Sequence, residues 1–403
     1  MRILIVTTYG FDPAFPSRPE QLQARALLAR GHRVIAHEYL DRRYPGQSRR
    51  HEWLPGGIPV HRAATLGFFA PEAILRLILA DRPDVIHLHH LRSLLGYQTV
   101  AFARRLNIPT VLTVHGLLHD GDLVVDRERP LEAPLRTANV LLSGRQLAAR
   151  LARGAHLRRA TRNYLIHAPL LRHNHLIALS QHERELLVDL GVRRRQISVL
   201  PNVVELDGYA GESGASIAER APLVLFIGQL VPRKGFDLLA QAVPLVLRDV
   251  PAARFVLVSH NRAGEEELWR ILRANGAAAA VELRGRVDEV EKIRLLREAA
   301  VTVAPSRYEG FGIPLIEAMA AGTPVVTTDA PAGNEVIAHE RTGLLTPYAD
   351  VAALAAAIVR LLRDRAFAQC LVDAARPQAF ERYSPATIAE QLEDVYTALR
   401  ADM

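Results

Sequence analysis

Short apolar runs, each followed by a stretch of helical period, recur along the whole chain. This alternation restricts it to α/β architectures with parallel sheets, because parallel neighbours need crossover connections long enough to hold a helix. The first run is Arg2-Ile3-Leu4-Ile5-Val6. It is followed by Glu20 to Arg30, where Leu22, Ala26, Leu27 and Ala29 form one helical stripe ended by Gly31. Arg33 to Ala36 reads as a second strand, and Asp84 to His89 and Thr110 to His115 as further strands around a helical segment from Tyr97 to Leu106. After Pro201-Asn202 the chain turns polar and glycine-containing from Asp207 to Glu219, and the alternation then begins again at Leu223 to Gly228. Strands are expected at Ala253 to Ser259, Val281 to Arg284, Val301 to Pro305 and Thr323 to Thr327. The final helix, about Pro385 to Arg400, carries Ile388, Leu392, Val395, Tyr396 and Leu399 on one face. The expected fold is α/β: two doubly wound Rossmann-like domains over 1–203 and 221–383, a linker at 204–220, and a terminal helical segment at 384–403.

A length of 403 residues fits two domains, and 49% hydrophobic with 23% charged residues is ordinary globular composition. The single cysteine, Cys370, rules out an intramolecular disulfide framework and a cysteine-rich zinc module. No apolar run approaches the roughly 18 residues of a membrane span. The opening apolar run is too short for a signal-peptide core and lacks a small-residue cleavage site. A cytoplasmic protein is expected.

The net charge of +7 carries less information than its distribution. Lys234 and Lys292 are the only lysines among 50 basic residues, so the arginine excess reads as compositional bias. From Ala133 to His182 there is no acidic residue, while eight arginines occur, including Arg145, Arg150, Arg153, Arg158, Arg159, Arg162 and Arg172. Leu147 and Leu151 stand one helical turn apart beside Arg150 and Arg153. Two readings of 145–172 stand open: a solvated helix pair, or a face that docks on an anionic membrane or an acidic acceptor.

Residues 303–326 hold the densest chemistry. A buried strand ends at Pro305, and Ser306-Arg307-Tyr308-Glu309-Gly310-Phe311-Gly312-Ile313-Pro314-Leu315-Ile316-Glu317 follows, with Pro314 placed for a helix start and Gly322 for its end. The amides of Gly310, Phe311 and Gly312 would then lie at a helix N-terminus on the carboxyl edge of a parallel sheet, where anionic ligands bind. Glu309 sits at the mouth, and Glu317 can accept hydrogen bonds from vicinal hydroxyls of a ribose. A tight strand–loop–helix with solvated glutamates remains the alternative. No G-x-G-x-x-G or Walker-type phosphate loop is present, which argues against nicotinamide, flavin and P-loop chemistry.

The order of these motifs resembles the retaining glycosyltransferases of family 4. Glu309 and Glu317 have that family's E-x7-E spacing. Phe226-Ile227-Gly228-Gln229-Leu230-Val231-Pro232-Arg233-Lys234-Gly235 resembles its donor-phosphate segment. Leu179-Ser180, Pro201-Asn202-Val203-Val204, Gly333-Asn334-Glu335, Asp84 to His89 and Thr113-Val114-His115-Gly116 follow in family order. The resemblance spans nearly the whole chain and is strongest over 221–347. It implies the GT-B fold, with an acceptor-side N-terminal domain facing a donor-binding C-terminal domain across a cleft and the last helix crossing back to the first domain. It further implies that Lys234 binds the donor diphosphate, that Glu317 holds the ribose, and that Glu309 and the amides from Gly310 through Ile313 hold the donor sugar. His115 would contact the transferred sugar, and Arg286 and Val287 would read the base. The implied partners are a nucleotide-sugar donor, UDP- or GDP-linked by default, and a lipid-linked, polysaccharide or small-molecule acceptor. No metal or other cofactor is required, and nucleic acid is not an expected partner.

Two departures stand out. The family's arginine after the first glycine is Gln229 here, with Arg233 as the nearest replacement charge. Asp12 to Glu20 replaces its glycine-rich first loop. Asp120-Gly121-Asp122 matches a D-x-D metal motif but is assigned to a loop. His87, His89 and His90 alternate along a strand without a third ligand pattern, so a structural or edge role is expected. Two rival readings remain at this level: a nucleotide-sugar 2-epimerase on the same fold, and a non-catalytic polyanion-binding protein on a degenerate scaffold.

Overall fold

A computed structural model of the chain describes residues 1–8, 10–39, 50–63, 71–90, 94–117, 140–211 and 216–401. Asp120-Gly121-Asp122 lies outside the described residues. The described residues form two compact units, one before Glu205 joined by the chain from Pro385 onward, the other Glu205–Ser384.

The first unit is built on an eight-stranded sheet. Its strands are β1 (Arg2–Val6), β2 (Arg33–Tyr39), β3 (His51–Leu54), β4 (Ile58–Ala63), β5 (Val85–His89), β6 (Thr110–Thr113), β7 (His175–Ala178) and β8 (Ile197–Val199), in spatial order β3-β4-β2-β1-β5-β6-β7-β8. Every pairing is parallel except β3 with β4. The crossovers carry α1 (Pro19–Ala29), α2 (Pro71–Asp81), α3 (Leu94–Arg105), α4 (Gly144–Ala152), α5 (Leu157–His167) and α6 (Gln181–Asp189). Ile3, Leu4, Ile5, Val85 and Ile86 are fully buried, as expected of central parallel strands covered on both faces. The β3–β4 hairpin escapes the sequence reading because His51-Glu52-Trp53-Leu54 lacks an apolar run and Trp53 faces solvent.

The second unit carries six parallel strands, β9 (Leu223–Ile227), β10 (Arg254–Val258), β11 (Val281–Arg284), β12 (Val301–Ala304), β13 (Val325–Thr328) and β14 (Leu344–Thr346), in the order β11-β10-β9-β12-β13-β14. Its helices are α7 (Phe236–Asp249), α8 (Glu265–Ala274), α9 (Glu289–Glu298), α10 (Ile313–Ala321), the single turn α11 (Gly333–Val336), α12 (Val351–Arg363) and α13 (Arg365–Tyr383). The stretch expected as a linker at 204–220 is instead packed into this unit from Glu205 onward. Tyr209 and Ile217 are buried there, so two apolar side chains in a polar segment decide its allegiance.

The last helix, α14 (Pro385–Ala401), returns to the first unit, as the GT-B resemblance implies. Ile388, Leu392 and Tyr396 are buried in one core with Leu22 and Leu27 of α1. Each such side chain contributes roughly 1.5–3 kcal/mol. Arg30 and His32 both reach Glu393 on the same helix, the latter at 3.1 Å. No helix among the described residues is long and apolar enough to cross a membrane.

Candidate functional site

In the second unit, the chain leaves β9 through Gly228 and Gln229 and makes one 3-10 turn at Pro232–Lys234 before entering α7. Gly235, between turn and helix, has φ +68°, and a Cβ there would lie 1.9 Å from the Pro305 carbonyl oxygen at the end of β12. The loop after β9 therefore packs backbone to backbone on the loop after β12, and the Arg307 amide donates to the Arg233 carbonyl at 2.8 Å across that contact.

This packing brings Lys234 to Glu309. The Lys234 ammonium donates to both carboxylate oxygens of Glu309, at 2.7 and 2.6 Å, and the Ser306 hydroxyl donates to the same carboxylate at 2.5 Å. Glu309 is only 7% exposed, so the pair sits largely out of water. The Ser306 carbonyl is itself held by the Thr328 hydroxyl of β13. Arg233 lies beside Lys234 with its guanidinium over the Tyr308 ring at 5.9 Å, and its Nη1 is buried without an acceptor. Gln229 reaches His260 at 3.4 Å.

The helix start is as the sequence predicts. Gly312, at φ +97°, caps α10, Pro314 occupies its first turn, and Gly322 ends it in the left-handed conformation. Among the described residues, the amides of Gly310, Phe311, Gly312 and Ile313 donate to no acceptor. They form an open N-terminus that favours an anion. Phe311 is buried edge-on against Tyr383, with ring centroids 5.8 Å apart, so it anchors the loop.

Glu317 is inside α10 and meets a residue the sequence reading missed. Lys292 of α9 donates to Glu317 at 2.7 Å and to Glu289 at 2.9 Å. Burial works against the charge on Lys292, but the Glu317 and Glu289 carboxylates outweigh it and hold the ammonium above its ordinary range. The two lysines of the chain thus each pair with one glutamate of the E-x7-E spacing. That scarcity was the available signal for Lys292. Arg286 and Val287 lie in the loop that leads from β11 into α9, Arg286 exposed and Val287 half-buried.

His115 belongs to the first unit, just after β6, and has φ +49°. The turn is held from behind by Glu183 of α6, whose carboxylate accepts from the amides of Gly116 at 2.8 Å, Leu117 at 2.7 Å and Leu179 at 2.7 Å. Ser180 caps that helix, its hydroxyl accepting from the Glu183 amide. His89 Nδ1 stands 2.7 Å from His115 Nε2. Burial drives His115 down to about 3 and His89 well below the usual imidazole range, so both rings are neutral.

The three alternating histidines divide. His87 has a structural role: it contacts the Tyr396 hydroxyl at 2.6 Å and the Thr113 hydroxyl at 2.7 Å and is fully buried. His90 instead meets Glu20 at 2.7 Å. The first loop, which replaces the glycine-rich one, is fixed by side chains. Gln21 donates to the carbonyls of Gly10, Asp12 and Phe15, and Glu38 accepts from the amides of Gly10 and Phe11 at 3.0 Å. Arg62 closes this network on Glu38 at 2.6 Å, Glu52 at 2.7 Å and the Phe11 carbonyl at 2.6 Å.

Residues 22–207 match the family described as Glycosyltransferase Family 4, and residues 221–364 match Glycosyl transferases group 1. Phosphatidyl-myo-inositol mannosyltransferase of Mycobacterium leprae (strain TN) is 37% identical over 200 residues, 49% of this chain and 52% of that protein. The chain therefore matches about half the length of that relative. Glycogen synthase of Mycobacterium tuberculosis (strain CDC 1551 / Oshkosh) is 28% identical over 322 residues, 79% of this chain and 70% of the relative. Among solved structures, sucrose-phosphate synthase from Thermosynechococcus elongatus superposes with a TM-score of 0.72 at 22% identity, covering 100% of both chains. Anabaena Alr3699/HepE, solved with UDP and glucose, gives 0.70 at 20% identity, covering 99% of this chain and 100% of that one. At such identities the structural likeness establishes the fold, GT-B with two parallel-sheet Rossmann-like domains.

Proposed function

The chain belongs to the glycosyltransferases that join a family 4 domain to a group 1 domain, and on that premise we propose that it is a retaining, metal-independent hexosyltransferase. It would move a sugar from a UDP- or GDP-linked donor to an acceptor hydroxyl in glycan, glycolipid or exopolysaccharide synthesis. The observation that carries this reading is the Lys234–Glu309 pair beneath the open N-terminus of α10. A diphosphate arriving there meets the Lys234 ammonium, the unpaired edge of Arg233 and a row of free amides. These are the groups needed to stabilise charge on a departing nucleoside diphosphate. Glu309, released from Lys234, is free to accept from sugar hydroxyls, and Glu317, positioned by Lys292, from the ribose. We assign His115 to the transferred sugar, and Arg286 and Val287 to the base.

No side chain of the donor loop is set as a nucleophile. The reaction then runs on one face of the sugar: the acceptor oxygen bonds to the anomeric carbon, the bond from that carbon to the phosphate oxygen breaks, and the acceptor proton passes to the departing phosphate. Configuration is kept without a covalent enzyme intermediate.

The acceptor side favours a membrane-borne substrate. Helix α4 has no buried residue, α5 buries only Ala160 and His167, and Leu157 is 63% exposed among Arg153, Arg158, Arg159 and Arg162. An exposed apolar side chain in an arginine-rich stretch on a poorly buried helix pair is what anionic lipid attracts. Flotation with liposomes should depend on their anionic lipid content, and indifference to it removes this part of the proposal.

The central test is a thermal-shift panel of UDP, GDP, ADP and their sugar conjugates, with and without EDTA. A ligand at 100 times its Kd should stabilise by about 2.7 kcal/mol. One nucleotide series should respond, insensitive to EDTA, and silence across the panel refutes the donor site. With the responding donor, Lys234→Ala and Glu309→Ala should each lower turnover at least about tenfold.

A further inference from the structure

We propose that Glu20, His89 and His115 form a binding site for a divalent transition-metal ion of the Zn2+ class in the first unit. The three residues come from separate elements: the first turn of α1, the last residue of β5 and the turn after β6. Their candidate ligand atoms all lie within 4.8 Å of one another. Two imidazoles and one carboxylate are a donor set for Zn2+, Co2+ or Ni2+, and not for Mg2+ or Ca2+, which take oxygen ligands.

The spacing of the two imidazoles is close to that of a filled site. His89 Nδ1 and His115 Nε2 face each other at 2.7 Å. Ligand atoms around a tetrahedral zinc, with bonds of 2.0–2.1 Å, stand about 3.3 Å apart. Two neutral rings meeting nitrogen to nitrogen share a single proton, and a metal ion takes that proton's place when the rings part by roughly 0.6 Å.

The surroundings hold the ligands in place. His90 bonds the Glu20 carboxylate at 2.7 Å, so one of the three ligands already has an outer partner of the kind that orients metal-bound groups. The Glu183 carboxylate clamps the backbone behind His115. His90 and His115 both adopt left-handed backbone conformations, φ +66° and +49°, a strain that persists only where the surroundings impose it. With three protein ligands, a fourth position stays open for water or a ligand oxygen.

His115 is also the residue assigned to the transferred sugar, so the test is made with the metal ion alone and no sugar substrate. The full-length protein is stripped with EDTA and titrated with Co2+ alone. We expect one equivalent to bind with the visible d–d absorption of a tetrahedral site, to be displaced by Zn2+ and to be unaffected by excess Mg2+. His89→Ala and the nearly isosteric Glu20→Gln should each weaken Co2+ binding about 10- to 100-fold or more. Cys370→Ser, at an exposed thiol elsewhere, should leave the band intact. Far-ultraviolet circular dichroism confirms that each variant is folded. Absence of the band, or a band that survives both His89→Ala and Glu20→Gln, overturns the proposal.

Discussion

Replacing Gly235 with alanine tests whether backbone contact between two loops is what builds the donor site. The substitution has two separable costs. Gly235 sits at φ +68°, and an L-residue there costs about 1–2 kcal/mol in backbone strain alone. The new Cβ would also stand 1.9 Å from the Pro305 oxygen and 2.7 Å from its carbonyl carbon, where real Cβ contacts essentially never fall below 3.0 Å. The two loops must therefore separate by about 1 Å, which strains the Arg233–Arg307 backbone bond and draws Lys234 away from Glu309. Misplacing a charged group by that distance lowers catalysis on the order of 10²-fold. Gly276 supplies the control, with φ +65° and nothing within 4 Å of a built Cβ. Thermal melts and calorimetric titration with the responding nucleoside diphosphate separate the two effects. Gly276→Ala should lose only the strain, roughly 2–8 °C for a unit of this size, with unchanged nucleotide affinity. Gly235→Ala should melt lower still and bind the nucleotide at least about tenfold more weakly. Equal melting points and equal affinities in the two variants would refute the reasoning.

Three further predictions concern the first unit. Arg62→Met leaves the Glu38 carboxylate, whose side chain is fully buried, without its cation, and should cost about 3–5 kcal/mol, read from the denaturant midpoint. A loss below about 1 kcal/mol would show that Glu38 does not need the charge. Tyr396→Phe removes the hydroxyl that His87 contacts between β5 and α14, and should cost about 1–3 kcal/mol at nearly constant shape, measured by the same unfolding transition. Burial depresses His37 to about 4 and His173 to about 3, so the unfolded chain binds protons that the folded one refuses. The stability this provides is present above pH 6.5 and lost as pH falls toward 4. Each histidine accounts for about 1.4 kcal/mol of that loss at pH 5.5. Of the 16 histidines only His260 and His339 lie beyond residue 205. Hydrogen exchange should therefore show the first unit loosening in acid before the second, and equal protection of both at pH 5 would contradict it.

The sequence by itself determined the class of fold, because alternating apolar runs and helical segments leave a parallel sheet as the arrangement that satisfies the backbone. It also determined the start of α10 at Gly312 and Pro314, since capping and first-turn preferences are local. The hairpin β3–β4 was not legible, because among the described residues β3 pairs only with β4 and carries no apolar pattern of its own. Nor was the allegiance of 205–220, which depends on where Tyr209 and Ile217 find cover. Lys234 and Glu309 were each legible as a candidate; that they form one ion pair was not, because it depends on Gly235 packing against Pro305, 70 residues away in the chain. The same holds for Lys292 on Glu317 and for Glu20, His89 and His115. Residue type and spacing record what a side chain can do, whereas which side chains meet is decided by the order of strands in a sheet, and strand order is set by packing between segments far apart in sequence.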